Sequence, residues 1–263
     1  MKECILLSHV FIKAFEYQKI DKVNFVLEHF RNNNPNSYII ATGHGKRPNN
    51  LKTHCDYVYW PQKIIRSEIN YGHPYLVNKG IDHAISKGFK YLVKTRLDSI
   101  HLMKDLFKYS LNNLNERNYL TTQITTWNNP NLCDLFNFSK TLFMKKCWDI
   151  NNWHCKNKSG LYYHAKNFQN ACNQKDWNIC ITKNCVIKNI FNLKWIDLRS
   201  SSNWSILKHY KSEIMKNNLS QFANYLWGTS EGWIVWDNNG CLKSSNTWRK
   251  ENLITEENML KRQ

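Results

Sequence analysis

The chain has 263 residues, with 37 Lys and Arg against 20 Asp and Glu, which gives a formal net charge of +17. This length accommodates one large domain or two small ones with a substantial buried core. The basic excess predicts attraction to polyanions, such as nucleotide phosphates, nucleic acid or an anionic membrane surface. The basic residues are scattered along the chain, which argues against a disordered nucleic-acid-binding tail.

The nine cysteines are odd in number and include no CxxC pair. Zinc sites usually show closer spacing, so free thiols in a reducing compartment are the simpler interpretation. A weaker metal candidate combines His154 and Cys155 with Cys172, Cys180 and Cys185.

The N-terminal apolar run is too short for a signal peptide, and no apolar stretch is long enough to span a bilayer. We therefore expect a cytoplasmic protein that contacts a membrane only at its periphery.

Strands and helices alternate through the first hundred residues. Short apolar runs predict strands at 4–10, 37–41, 57–60 and 90–95. Helical spacing of apolar residues predicts helices at 20–30 and 74–87, the second with a proline in its first turn. This alternation predicts an α/β fold with a mostly parallel central sheet and helices on both faces.

The second half of the sequence is less regular. We expect strands at 119–124 and 135–138, a helix at 141–148, and long loops through 149–185 around a helix near 160–171. Further on, the pattern predicts a strand pair within 186–196, a long helix at 204–226, and a hairpin whose strands, 232–236 and 241–243, flank a turn at 237–240.

The predicted ligand site lies where the parallel strands end. Right-handed crossovers place Ser8, His9, Trp60, Asp98 and the turn at 42–45 along one edge of the sheet. An Asp there can hold a divalent cation through its hard oxygen ligands. It can equally cap a following helix, and both interpretations stay open.

Five segments, in this order, carry a resemblance to a known family: DYVY at 56–59, NYG at 70–72, NKGIDHA at 78–84, YLVKTRLD at 91–98 and CDLFNF at 133–138. They resemble the WavE-type lipopolysaccharide-synthesis glycosyltransferases, and similar pieces occur in capsule and viral glycan transferases of the GT-A fold. The likeness covers roughly residues 1–150, and its Lys-Thr-Arg-x-Asp piece is the most distinctive.

The resemblance implies a glycosyltransferase that moves a sugar from a nucleotide-sugar donor to a glycan or lipid-linked acceptor in polysaccharide biosynthesis. It implies a single GT-A-like domain over 1–263. Residues 1–125 would form the nucleotide-sugar-binding half, and residues 126–263 the acceptor half with a C-terminal extension.

The resemblance also implies a metal site. GT-A enzymes place an Asp-x-Asp at a strand end, where it binds ribose and a divalent metal; the triplet here is Arg96-Leu97-Asp98. The second acid is present and the first is replaced, so the resemblance implies Mn or Mg held by Asp98, with His209 as a further ligand. Alternatively, Arg96 binds phosphate with its planar fork, or pairs with Asp98 and orients it. A lone histidine such as His209 is also commonly structural.

Two further parts of the site follow from the same likeness. Asp134 matches the acid of a family motif, where a carboxylate acts as general base or holds an acceptor hydroxyl; otherwise it caps a turn. Ser8 and His9 end the first strand, where GT-A folds hold the nucleoside base.

The start of the helix near Pro74 offers backbone amides to an anionic ligand. We therefore expect Asn70, Gly72 and Asn78 to line the donor pocket, although Asn78 also suits an ordinary helix position.

Two other classes remain open. One is a basic α/β nucleic-acid-binding protein, although the sequence has no RNP, helix-turn-helix or zinc-finger signature. The other is a degenerate GT-A fold that binds sugar without catalysis.

Overall fold

A central β-sheet organises the chain, which we describe from a computed structural model. The structure describes residues 2–8, 16–62, 72–97, 99–101, 103–122, 130, 132–152, 160–188, 195–197, 234–236 and 242–244. The strands are β1 (Cys4–Ser8), β2 (Tyr38–Thr42), β3 (Tyr57–Tyr59), β4 (Tyr91–Arg96), β5 (Ser99–His101), β6 (Tyr119–Thr122), β7 (Phe136–Lys140), β8 (Cys185–Lys188), β9 (Trp195–Asp197), β10 (Ile234–Trp236) and β11 (Leu242–Ser244). The helices are α1 (Glu16–Asn33), α2 (Leu51–His54), α3 (Gly72–Ser86), α4 (Leu106–Leu114), α5 (Thr141–Cys147), α6 (Gly160–Ala171) and α7 (Trp177–Asn184).

Seven strands form the main sheet in the order β3-β2-β1-β4-β7-β6-β8. All neighbouring pairs are parallel except those that involve β7, which runs antiparallel to β4 and to β6. The amino end of β7 therefore lies at the same edge of the sheet as the carboxyl ends of the other six strands.

Helices cover both faces of this sheet. Successive β1 residues point to opposite faces, so Ile5 and Leu7 pack in one buried cluster and Leu6 in the other. The first cluster includes buried residues of α1 and α4, such as Phe30 and Phe107. The second includes residues of α3, α5, α6 and α7. The predicted α/β class, with a mostly parallel central sheet flanked by helices, is confirmed.

The strands and helices predicted in the first hundred residues are all present, with ends shifted by a few residues. The hairpin predicted near 232–243 is also confirmed, since β10 and β11 pair antiparallel. The helix predicted at 204–226 lies outside the described residues.

Two predictions in the second half are wrong. The loops expected through 149–185 contain α7, which begins after Asp176, whose side chain accepts a hydrogen bond from the Ile179 amide at 2.9 Å. The strand pair expected within 186–196 does not form, because β8 pairs with β6 and β9 with β5. β8 and β9 follow each other in the sequence, but each pairs with a strand that lies far from it along the chain.

The main sheet takes strands from both predicted halves, 1–125 and 126–263. Among the described residues, the structure contains no helix that combines the length and apolar character needed to cross a bilayer.

Candidate functional site

The candidate site lies at the topological switch point of the sheet. The chain passes from β1 outward through β2 and β3, and then returns to place β4 on the other side of β1. The strand order thus reverses between β1 and β4, and the crevice beyond the carboxyl ends of the strands at such a position is where open α/β sheets bind ligands. Ser8 and Arg96 are register partners at this position.

The antiparallel strand β7 brings an acid to the same edge. Asp134 lies two residues before β7, and its Oδ2 is 3.3 Å from Nη1 of Arg96. The Lys94 ammonium donates a hydrogen bond to the backbone carbonyl of Asp134. Both cations therefore bind one residue, one at its carboxylate and the other at its main chain.

A histidine in the first turn of α3 completes the arrangement. Nε2 of His73 is 3.0 Å from Oγ of Ser8, and its Nδ1 is 3.4 Å from Oδ2 of Asp134. The edge of the ring also meets Trp148, with the ring centroids 5.5 Å apart. We call Ser8, His73, Lys94, Arg96 and Asp134 the edge cluster.

The row formed by Ser8, His73 and Asp134 has the order of a serine nucleophile, base and orienting acid. Ser8, however, is completely buried, and its hydroxyl also donates to the Thr95 carbonyl at 3.1 Å. A nucleophile has to reach its substrate, so we interpret the row as a hydrogen-bonded support that orients Asp134.

Lys94 is buried completely although it carries a charge. Its ammonium lies 4.5 Å from the centre of a Trp148 ring, which is a favourable cation–π distance. Together with Arg96, it places two basic side chains beside Asp134 at the carboxyl edge of the sheet. Basic side chains in this position suit a bound anion.

The electrostatics keep Asp134 ionised. Burial opposes its ionisation, but Arg96, the hydrogen bond with His73 and the charge of Lys94 together hold the pKa of Asp134 well below its usual value. Burial and the charge of Lys94 lower the pKa of His73 to about 4, despite the opposing effect of Asp134. His73 is therefore neutral near pH 7, and Asp134 is a weak proton acceptor.

The structure places Gly72 and Asn78 on α3, at different distances from this site. Gly72 begins the helix beside His73. The Asn78 side chain is buried: its amide donates to the carbonyls of Pro74 and Trp148, and its oxygen accepts from Lys145 at 2.6 Å. These bonds tie α3 to the end of α5, and a donor-binding role for Asn78 stays a prediction.

The other predicted site residues, His9, Asn70, Asp98 and His209, lie outside the described residues. Among the described residues, no group of three His, Cys, Asp or Glu side chains could hold a metal ion. Asp134 does not suit a cation, because Arg96 and Lys94 already surround it. The described donors therefore do not fit a metal, and a metal at Asp98 and His209 stays a prediction.

The sequence analysis missed His73 and Lys94 as members of the site. Lys94 stood within the Lys-Thr-Arg-x-Asp piece, where a lysine interrupting an apolar strand was a usable signal. His73 had only its position between Gly72 and Pro74 at a helix start, which does not distinguish it from an ordinary first-turn residue.

No protein-family model matches the chain and no curated protein matches it, so the WavE resemblance gains no support there.

Several solved structures are similar to this chain in fold, at low sequence identity. A protein assigned as a nucleotide-diphospho-sugar transferase from Desulfovibrio desulfuricans G20 is 12% identical, with a TM-score of 0.45 over 82% of this chain and 98% of that chain. A glycosyltransferase involved in glycosylation of the major capsid of PBCV-1 is also 12% identical, with a TM-score of 0.45 over 80% and 98% of the two chains. The 4-diphosphocytidyl-2C-methyl-D-erythritol synthase of Anaerococcus prevotii DSM 20548 is 9% identical, with a TM-score of 0.48 over 80% and 96%. Likenesses at this level say nothing of what the present chain binds, which has to be inferred from the edge cluster.

Proposed function

We propose that the chain is a glycosyltransferase that binds the diphosphate of a nucleotide-sugar donor at the edge cluster and transfers the sugar to a glycan or lipid-linked acceptor. The observation that supports this proposal is the position of Arg96 and Lys94 at the switch point of the sheet, where both contact Asp134. The sequence resemblance to GT-A glycosyltransferases supplies the reaction class.

The chemistry of sugar transfer needs fixed positive charge. Departure of the nucleotide builds negative charge on the diphosphate, and preorganised cations stabilise that charge in the transition state. A guanidinium presents its donors in a planar fork that matches phosphate oxygens. The Asp134 carboxylate, 3.3 Å from Arg96, holds that fork in place.

We assign Asp134 an anchoring role in this reaction, in which it orients Arg96 and accepts a hydrogen bond from an acceptor hydroxyl. Its low pKa disfavours removal of the proton in the ground state, since a good general base has a pKa near the working pH. The general base predicted from the resemblance therefore stays a prediction.

The direct test is a thermal-shift screen of UDP-, GDP-, CMP- and dTDP-sugars, each with and without Mn. A ligand that binds only the native state raises the melting temperature by mass action. We expect one of the diphosphate donors, UDP-, GDP- or dTDP-sugar, to stabilise the protein more than a CMP-sugar does, and Arg96→Gln to abolish that shift. A flat screen together with tight binding of DNA or RNA would favour the nucleic-acid-binding alternative.

The Mn arm of the same screen tests the predicted metal. If Asp98 holds a divalent cation, Mn should enlarge the nucleotide-dependent shift, and Asp98→Asn should remove only that enlargement. If Arg96 acts without a metal, the shift should be the same with EDTA as with Mn. A binding-competent protein without turnover would identify the non-catalytic sugar-binding alternative.

A further inference from the structure

An apolar groove opens at the amino edge of the main sheet, opposite the edge cluster. It has a volume of about 470 Å³ and lies between the end of α3, the start of β4 and the start of α5. Its apolar lining comes from Ile85, Phe89, Tyr91, Leu142 and Phe143. Of these, Leu142 is 67% exposed, which is unusual for a large apolar side chain.

Backbone contacts make this groove a fixed feature. Tyr91 and Lys140 are register partners, so the start of β4 and the end of β7 are tied together. The Thr141 amide donates to the Lys90 carbonyl at 2.9 Å, and its hydroxyl to the Phe89 carbonyl at 2.7 Å. The groove is therefore preformed, and no side chain has to move to open it.

Gly88 lines the groove without a side chain, which leaves that side of the groove open. It ends α3 with a φ of 75°, a conformation that L side chains rarely adopt, and no atom lies within 4 Å of the place where a Cβ would stand. A glycine here both terminates the helix and leaves the apolar lining open to solvent.

Exposed lysines surround the apolar lining. Lys90 and Lys140 line the groove itself, and Lys87 stands beside Gly88. Lys146 lies four residues after Leu142 on α5, a spacing that puts both on one face of the helix. Among the described residues, none of these four lysines has an ion pair, and no acidic residue lines the groove.

We propose that this groove is a docking surface for an anionic lipid bilayer. Leu142 would insert its side chain below the headgroups, while Lys87, Lys90, Lys140 and Lys146 would contact lipid phosphates. Apolar side chains framed by lysines are the combination that binds anionic membrane interfaces, through buried area and electrostatic attraction together. The unbalanced positive charge around the groove favours a headgroup layer over an uncharged apolar partner.

Docking through this surface has a consequence for orientation. The groove lies at the amino ends of the parallel strands and the edge cluster at their carboxyl ends. The bound protein would therefore turn the edge cluster away from the bilayer, toward nucleotides in solution, and of the two acceptor classes proposed above this orientation fits a glycan acceptor in solution. The docking does not depend on catalysis, so it can be measured without an assay of sugar transfer.

The test is sedimentation of the full chain with vesicles of POPG and POPC against vesicles of POPC alone. The groove variant combines Lys87→Gln, Lys90→Gln, Lys140→Gln and Lys146→Gln. The matched control removes the same charge from exposed lysines elsewhere, through Lys52→Gln, Lys104→Gln, Lys108→Gln and Lys175→Gln. Because both variants lose four positive charges, a difference between them reports the location of the charge.

We expect the native chain to bind the POPG vesicles and to leave POPC alone, with binding that falls as salt shortens the Debye length to roughly 8–10 Å. The groove variant should lose about tenfold or more in partitioning, since each lysine near an anionic surface contributes severalfold. The control variant should lose much less. Equal losses in both variants, or binding to POPC as strong as to POPG, would overturn the proposal.

A second variant addresses the apolar contact and guards against a folding defect in the quadruple variant. Leu142→Ser should weaken POPG binding severalfold, whereas Ile179→Ser, at another exposed large apolar residue of the described part of the chain, should not. Both variants should keep the nucleotide-dependent thermal shift, which reports the edge cluster. If Leu142→Ser binds vesicles like the native chain, the groove does not insert into the bilayer.

Discussion

Asp134 is the residue on which the edge cluster depends, because it contacts Arg96, Lys94 and His73 together. Asp134→Asn should lower the free energy of unfolding by about 1–3 kcal/mol at pH 7, since it removes the carboxylate charge that Arg96 contacts, while the bond from Lys94 to the backbone carbonyl at this position is kept. Asp82→Asn is the matched control, because its pair with Lys145 is half exposed and such pairs contribute about 0–1 kcal/mol. Urea denaturation measures both. Equal losses would mean that Asp134 is an ordinary surface acid.

The same pair has a pH signature. The pKa of Asp134 is lowered in the folded state, so its stabilising contribution is present above its unfolded pKa of about 3.9 and is lost as the pH falls through the lower folded value. The difference in stability between the native chain and Asp134→Asn should therefore be constant from pH 7 to pH 5 and shrink below about pH 4. A difference that grows on acidification would contradict the assignment.

The buried histidines give a second pH dependence in a different window. Burial and the charge of Lys94 lower the pKa of His73 to about 4 and that of His164 to about 3. The unfolded chain binds these protons below about pH 6.5 while the folded chain does not, so stability falls as the pH drops from 6.5 toward 4. Each histidine should contribute about 1.4 kcal/mol per pH unit in that range.

Denaturation at pH 7, 6 and 5 measures this slope. His164→Gln should reduce the slope of stability against pH by the contribution of one proton. A slope that His164→Gln does not alter would show that the folded chain protonates this histidine as readily as the unfolded chain.

At the scale of elements, the packing of α3 against β1 positions both His73 and Ser8. Gly80 makes this approach possible, because a Cβ at that position would lie 2.3 Å from a methyl of Leu6. Gly80→Ala should therefore destabilise the fold by about 1–3 kcal/mol through overpacking, and should also weaken nucleotide binding by displacing α3. Gly88→Ala, two residues after the end of the same helix and with open space around it, should show only the smaller cost of its positive φ. A larger effect at Gly88 would contradict this account of the packing.

Elements also show where sequence reasoning succeeds and fails. Apolar runs ending in polar residues located β1 and β4, and with them Ser8 and Arg96 at the sheet edge. The weak periodicity of α7 did not reveal a helix, although Asp176 was a recognisable cap. Lys94 could be placed on a strand but not in the core, because its partner Trp148 lies 54 residues away and the contact depends on tertiary structure.

At the scale of the whole molecule, one sheet supports two apolar clusters on opposite faces. Phe107 belongs to the first cluster and Phe168 to the second. Because both clusters pack on the same strands, Phe107→Ala and Phe168→Ala should each lower the stability of one common transition by about 3–5 kcal/mol. Circular dichroism and tryptophan fluorescence should report the same midpoint in each variant. Two separated transitions would contradict a single cooperative unit.

The direction of β7 is the whole-molecule feature that the sequence could not supply. Alternating strands and helices predicted parallel pairing, and nothing in residues 136–140 marks a strand that runs the other way. Yet this reversal is what places Asp134 beside Arg96, since a parallel β7 would carry it to the opposite edge. The sequence thus indicated that Arg96 and Asp134 were candidate site residues. That the two side chains lie next to each other depends on the direction of β7, which the sequence does not reveal.

The central claim is that the edge cluster binds a nucleotide diphosphate, and isothermal titration with UDP, GDP, CDP and dTDP tests it most directly. The comparison is between the native chain, Arg96→Lys, and Arg117→Lys at the opposite edge of the sheet, where Arg117 donates to the Lys183 carbonyl. Lysine keeps the charge but loses the planar fork, so Arg96→Lys should weaken the best nucleotide by about tenfold or more. Arg117→Lys should bind like the native chain. Equal affinities in all three proteins would contradict the account.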